Sequence, residues 1–235
     1  MPDLKSALRD AVDWLDNRGV DLPTDLDAAL VAVGIKTVGD LASTQAEYHD
    51  AITQAIIDYF TGDRRIQEAR NDFKHAITNG LGDSFETGWL DSGQELPLDP
   101  EAVDWIAARQ EQEYGFTDQL FVQARELKKD KEFDYFSWAT ERADGYTRTA
   151  KQVYDEGRIW AAKNKMLMFT GQDGSPDHIC QSTGGTCVRL MGQRHRASWW
   201  VSHGLIPGPG NGNYDCGGWN CQHRLESDNG EVFAG

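Results

Sequence analysis

Four cysteines and several histidines crowd the last quarter of a chain that has no cysteine before residue 180. Cys180 and Cys187 form a C-x6-C pair. After 28 intervening residues, Cys216, Cys221 and His223 form C-x4-C-x-H. Thiolate and imidazole are the preferred ligands of zinc, which takes four of them in a tetrahedron, often as two short-range pairs brought together by the fold. Gly184, Gly185, Gly217 and Gly218 give the backbone the freedom to wrap each pair around one ion. The spacing therefore suggests one structural zinc held by Cys180, Cys187, Cys216 and Cys221, with His223 or His178 able to replace a cysteine. One or two disulfides, or buried thiols, are the alternatives. A closed site of this kind implies no catalytic water.

The segment carrying these residues needs a staple on compositional grounds. Residues 171–235 contain no lysine, many glycines and few aliphatic side chains, so short strands and long loops with a small core are expected. Upstream, the texture is helical. Leu4, Leu8, Val12 and Leu15 recur at helical spacing, "AITQAIIDYF" keeps its apolar residues on one face, and residues 46–88 read as one long or two shorter helices. "LDSGQELPLDP" reads as a linker, and Pro100 is well placed to open the next helix. "FDYFSWATERADGYTRTAKQVYDEGRIWAAKNK" gives a last long helix, with a kink expected near Gly145, and "MLMF" gives a short strand. The fold class is mainly α: a helical N-terminal region followed by a small irregular α+β, Cys/His-rich domain. The divisions are 1–90 (helical region), 91–139 (linker and helical hairpin) and 140–235 (the domain with the Cys/His cluster).

Charge narrows the partners. The chain of 235 residues carries a formal net charge of −15. Such a surface repels nucleic acid and anionic membranes unless a local basic patch overrides it. "GIKTVGDLAS" resembles a helix-hairpin-helix element, but residues 1–60 hold 4 basic and 11 acidic residues, the wrong sign for phosphate. The basic exception is Arg142 to Lys165, with 6 basic and 3 acidic residues. Arg148, Lys151, Arg158, Lys163 and Lys165 recur at spacings that let several share one helix face, which makes them candidate partner-binding residues. No apolar run is long enough to cross a membrane. The charged start of the chain lacks the apolar stretch of a signal peptide, so a reducing cytosol is the expected site of folding.

Several blocks, in order, resemble the phage Mu F-like head-morphogenesis family. "RTAKQVYDEGRIWAAKNKMLMF" is similar to that family's helix running into a short strand. "DHICQSTGGTCVRLMGQRH" is similar to its cysteine segment, "WWVSHGLIPG" to a turn that follows, and "GGWNCQHRL" to its closing motif. The resemblance spans about residues 140–230. It implies a non-enzymatic minor head (minor capsid) protein of a tailed bacteriophage. Such a protein would sit in the virion at the portal vertex or head interior, and in the host cytoplasm during assembly. Its expected partners are the portal or major capsid protein, with packaged DNA as a further one. Where many relatives close on Cys-x-Cys, this chain has Cys221 and His223, both zinc-compatible. The alternative is an HNH-like metal-dependent nuclease, resembled by "DHI" at 177–179 and the later C-x4-C-x-H.

Overall fold

A computed structural model describes residues 41–171, 185–208, 213–214 and 223–235. The expected helices before residue 40 lie outside them. Among the described residues the protein is mainly helical, with a small antiparallel sheet near the C-terminus. Four long helices come first: α1 (Leu41–Thr61), α2 (Ile66–Asp91), α3 (Pro100–Leu127) and α4 (Tyr135–Ala161). Then follow β1 (Met166–Gly171), α5 (Thr186–Leu190), β2 (Arg194–Arg196), α6 (Ala197–Ser202), β3 (His223–Ser227) and β4 (Val232–Ala234).

Local chemistry sets the helix boundaries. Asp99 caps α3 by accepting a hydrogen bond from the Ala102 amide at 2.8 Å, with Pro100 in the first turn. Proline there gives up an amide hydrogen that no helical carbonyl would have accepted. Asp134 caps α4 through the Ser137 amide and hydroxyl. Residues 46–88 resolve into two helices, separated by Gly62 at φ +93° and the exposed "GDRR" turn. α4 continues through Gly145 without a break in its assignment, and it spans position 140, where the sequence suggests a domain boundary.

α1, α2 and α4 pack against one another, and α3 lies along α2. Their apolar residues recur three, four and seven apart: Tyr48, Ile52, Ile56 and Tyr59 on α1; Phe73, Ile77, Leu81 and Phe85 on α2; Ala139, Ala143, Ala150 and Val153 on α4. The α2–α4 crossing is close because both helices offer glycine. A Cβ on Gly157 would stand 2.3 Å from the Phe85 carbonyl oxygen, and one on Gly88 would stand 2.0 Å from that of Tyr154. Gly80 similarly lets the Tyr48 ring lie against the α2 backbone.

A second core lies between the sheet, the end of α4 and α6. It gathers Ile159, Ala162, Leu167, Phe169, Cys187, Leu190, Trp200, Val201, Tyr214, Leu225 and Phe233. The composition of this segment suggests too little apolar mass for a core, yet aromatic rings provide it. Phe169 stacks on Trp200, Tyr214 and His223, and the Trp200 indole N–H donates to the Leu167 carbonyl at 3.1 Å. The sheet order is β2-β1-β3-β4, antiparallel throughout.

The glycine contacts give a test. Gly157→Ala forces a methyl group into a backbone carbonyl that belongs to another helix, and should cost roughly 1–3 kcal/mol in urea denaturation. Gly115→Ala, exposed on α3 with nothing within 4 Å of the added carbon, should instead gain up to about 1 kcal/mol from helix propensity. Equal effects from the two substitutions would refute the close crossing.

Candidate functional site

Two of the five suggested metal ligands fall among the described residues, and both are buried. Cys187 sits in the first turn of α5, 1% exposed, and His223 opens β3, 4% exposed. α5 is tied back to β1: the Gly192 amide donates to the Phe169 carbonyl, and the Phe169 amide donates to the Gln193 carbonyl. His223 pairs with Gly171 across the β1–β3 ladder, and its imidazole lies on the Phe169 ring at 5.1 Å. Cys187 belongs to the same buried cluster as Phe169. A thiol and an imidazole held in one water-poor layer form a donor set that suits zinc. Cys180, Cys216 and Cys221 lie outside the described residues, as do His178, Trp219 and the "DHI" segment. Among the described residues, no three His, Cys, Asp or Glu side chains gather as a metal would require.

The five basic residues of the last long helix and its exit are each placed. Arg148 is exposed on α4. Lys151 donates to the buried Asp155 carboxylate one turn on, at 2.6 Å. The Arg158 guanidinium lies 5.5 Å from the centre of the Phe233 ring, and the Lys165 ammonium lies 4.8 Å from it, so two cations flank the β4 aromatic. Lys165 also pairs with Glu231 at 3.2 Å. Lys163 reaches across to the α3 cap, 2.9 Å from Asp99 Oδ2 and 3.9 Å from Glu101. Three of the five, Arg158, Lys163 and Lys165, thus tie α4 and its exit to β4 and the α3 cap, while Lys151 pairs within α4.

A polar cluster inside the helical body was not read from the sequence. Glu113 of α3 and Glu156 of α4 are both buried, and Arg109 pairs with Glu113 at 3.3 Å. Gln152 donates to Glu156 Oε1 at 2.9 Å, while Glu156 Oε2 and Arg109 Nε are buried without a hydrogen-bond partner. Burial pushes Glu156 up to about 8, against the pull of Arg109 and Gln152, and the neighbouring Asp155 and Glu113 push the same way. Burial raises Glu113 as well, with Arg109 opposing it. Burial and the Glu113 charge also raise the Tyr48 and Tyr146 phenols. One guanidinium faces two buried carboxyls, so Glu156 keeps its proton at neutral pH. Glu113 and Tyr146 also line a cleft of about 220 Å³ with Phe116, Glu141, Arg142 and Thr149. A signal existed in the sequence: Glu156 and Gln152 interrupt the apolar face of α4 near Val153 and Ile159. A charged residue on such a face marks a buried polar contact.

These residues hold an imidazole and a thiol out of water and store a proton in a helix interface. They do not assemble a nucleophile, base and oxyanion donor within reach of one another. The chain matches no family model, no curated protein and no solved structure.

The stored proton has a sign that can be checked. The unfolded chain releases the Glu156 proton near its ordinary value of 4.5, while the folded chain keeps it to about 8. Between those values the folded state binds more protons, so stability should fall as pH rises, by at most about 1.4 kcal/mol per unit, and level off above 8. Glu156→Gln imitates the protonated acid. Its denaturation midpoint should decline less between about pH 5 and 9, leaving the variant the more stable protein at the alkaline end. Parallel curves for variant and parent would show that Glu156 is ionised in the fold.

Proposed function

We infer that this is a structural protein of a tailed-phage head, a minor capsid protein acting in head morphogenesis by contact with the portal or inner capsid surface. The observation that carries the reading is the way the resembling blocks assemble. The helix-to-strand block is α4 followed by β1, the "CVRLMGQRH" block is α5 and β2, the "WWVSHGLIP" block is α6 with the turn after it, and the last three residues of the closing block, His223 to Leu225, lie in β3. These four stretches, separated in sequence, adjoin one another in one sheet and one aromatic core. Residues that resemble one family in the right order, and also share one packed layer, support a common structural role.

Zinc is part of this proposal. Cys180, Cys187, Cys216 and Cys221, with His223 in place of one of them, would hold it. The ion would fix the segments that enter α5 and β3 against the Phe169 layer, supplying binding energy on the order of 10 kcal/mol to a small domain. The Cys/His-rich character of the C-terminal domain belongs to the same reading.

Docking is assigned to the α4 side of the molecule, which carries Arg148, Lys151, Arg158, Lys163 and Lys165, the last four of them meeting acidic or aromatic partners of their own chain. Of these, Arg148 and Lys165 are the most exposed, and an acidic surface on portal or capsid could compete for them. Among the described residues no helix is long and apolar enough to cross a membrane, and the expected partners are proteins, with packaged DNA as a further one.

Two measurements test the proposal. Protein purified without chelator should contain about one zinc per chain, with the Cys221→Ser variant losing it. Less than half an equivalent, with all thiols reactive, would remove zinc from the account. Complementation of a gene deletion with Arg148→Glu/Lys165→Glu should lower the copy number in purified phage heads while the protein stays folded, since exposed charges contribute about 1 kcal/mol or less each. A chain missing from wild-type particles, or magnesium-dependent nicking of plasmid DNA, would overturn the head-protein reading, the second outcome in favour of an HNH-like nuclease.

A further inference from the structure

The sheet has two unlike faces, and the register shows what each carries. Side chains directly opposite in a ladder point to the same side. Leu167, Phe169, Leu225 and His223 therefore share the inner face, over the aromatic core, and all are buried. The other face carries the alternate residues. Arg196 stands beside Met166, Arg194 beside Met168, Met168 beside Glu226, and Thr170 beside Arg224. Arg194, Arg196, Arg224 and Met166 are exposed, and Met168 and Thr170 are half-buried. Among the described residues no helix covers this face: α4 and α6 contribute to the aromatic core on the other side.

This face carries Arg194, Arg196 and Arg224 against one carboxylate, Glu226, in a protein of net charge −15. Arg194 and Arg196 alternate along β2, so their Cα atoms lie roughly 6.7 Å apart. Arg224 stands on β3 opposite Thr170, diagonal to Met168, and the two methionines lie on β1 beside Arg196 and Arg194. The edge strand is held rigidly from behind. The His195 ring stacks on Trp199 at 3.7 Å, Trp199 stacks on His203 at 4.1 Å, and Trp200 meets both His195 and Trp199 edge-on. The acids near the face are already engaged: Asp228 pairs with Arg194, Glu226 with Arg224, and Glu231 with Lys165. The Arg194–Asp228 and Lys165–Glu231 pairs are exposed, and such pairs are weak and exchangeable, whereas Glu226 is largely buried beside Arg224; Arg196 has no ion-pair partner among the described residues.

We propose that the open face of this sheet, built on Arg194, Arg196, Arg224, Met166 and Met168, binds single-stranded nucleic acid. The arginines take successive phosphates, as guanidinium does with bidentate hydrogen bonds, and the soft, polarisable methionine side chains receive the bases. An extended strand fits better than a duplex, because a nearly flat sheet face with apolar positions between the charges offers contacts to unpaired bases that a duplex keeps stacked inside. An acidic protein segment would answer the arginines but would leave Met166, 43% exposed, without a flat partner. The inference rests on the register and charge of the sheet, independently of the head-protein reading.

The test is fluorescence anisotropy of a labelled oligothymidine of about twelve nucleotides with the full chain. Three phosphate contacts on a single strand give a log–log salt slope of about −2, so affinity should fall roughly fifteen-fold between about 50 and 200 mM salt. Arg194→Gln/Arg196→Gln/Arg224→Gln should lose at least tenfold in affinity and most of the salt slope, with an unchanged near-ultraviolet circular dichroism spectrum from the tryptophans. Arg64→Gln/Arg125→Gln/Lys131→Gln removes the same charge from the helical body and should bind as the parent does. Met166→Ala/Met168→Ala should weaken oligothymidine more than it weakens polyphosphate. Three results would each overturn the proposal: no saturable binding by the parent at about 50 mM salt, equal losses in the two charge variants, or displacement of the oligonucleotide by polyglutamate as effectively as by unlabelled oligonucleotide.

Discussion

The close crossing of α2 and α4, at Gly88 against the Tyr154 carbonyl and at Gly157 against the Phe85 carbonyl, governs the geometry of everything downstream. Where each glycine faces a carbonyl oxygen of the opposing helix, the two backbones approach more closely than any side chain would permit. That approach fixes the position of α4 along α2. α4 is shared by both cores: most of its length packs in the helical body through Ala139, Ala143, Ala150 and Val153, while Ile159 near its end and its cap residue Ala162 enter the aromatic core under the sheet. A shift of α4 would therefore move β1, and with it the ladder that positions β2 and β3.

The charged residues of α4 work within this arrangement. Asp155, buried, accepts from Lys151 and is also bonded by the backbone of Gly235. Phe233 lies between Arg158 and Lys165, and Lys163 closes onto the α3 cap. In an isolated helix these side chains would be a solvated basic face. In the folded protein they join three elements, and the positive charge they present outward is reduced by their own partners. The interior has the opposite imbalance. Arg109 is one cation for two buried carboxyls, so Glu156 stays neutral and the helix interface is tied to proton concentration. Desolvation decides this, because a second buried carboxylate without a counter-charge would cost far more than keeping its proton.

The two faces of the sheet divide the chemistry of the C-terminal region. Toward the core, Phe169 gathers Trp200, Tyr214 and His223, with Cys187 in the same cluster. Away from it, arginine alternates with the buried positions of β2 and β3. A shift of one residue in register would exchange the two sets, so the aromatic core that anchors the sheet also fixes where its positive charge appears.

The sequence by itself determined the elements whose signals are local. The 3.6-residue repeat of apolar positions marked the long helices, Pro100 marked the start of α3, and "MLMF" marked β1, because propensity, proline geometry and periodicity act over a few residues. It also showed that the last quarter differs from the rest, from its glycines and missing lysines. What needed the tertiary structure were quantities set by partners distant in the chain. The spacing of basic residues on α4 could not reveal that Asp99, Phe233 and Glu231 answer them from up to 75 residues away. Low aliphatic content suggested a missing core, since no local rule says that Phe169, Trp200, Tyr214 and Phe233 meet. Glu156 and Glu113 read as ordinary helix carboxylates until two helices close over them. The glycines at 88 and 157 read as weak points of their helices, and only the opposing backbone makes them the place where those helices meet.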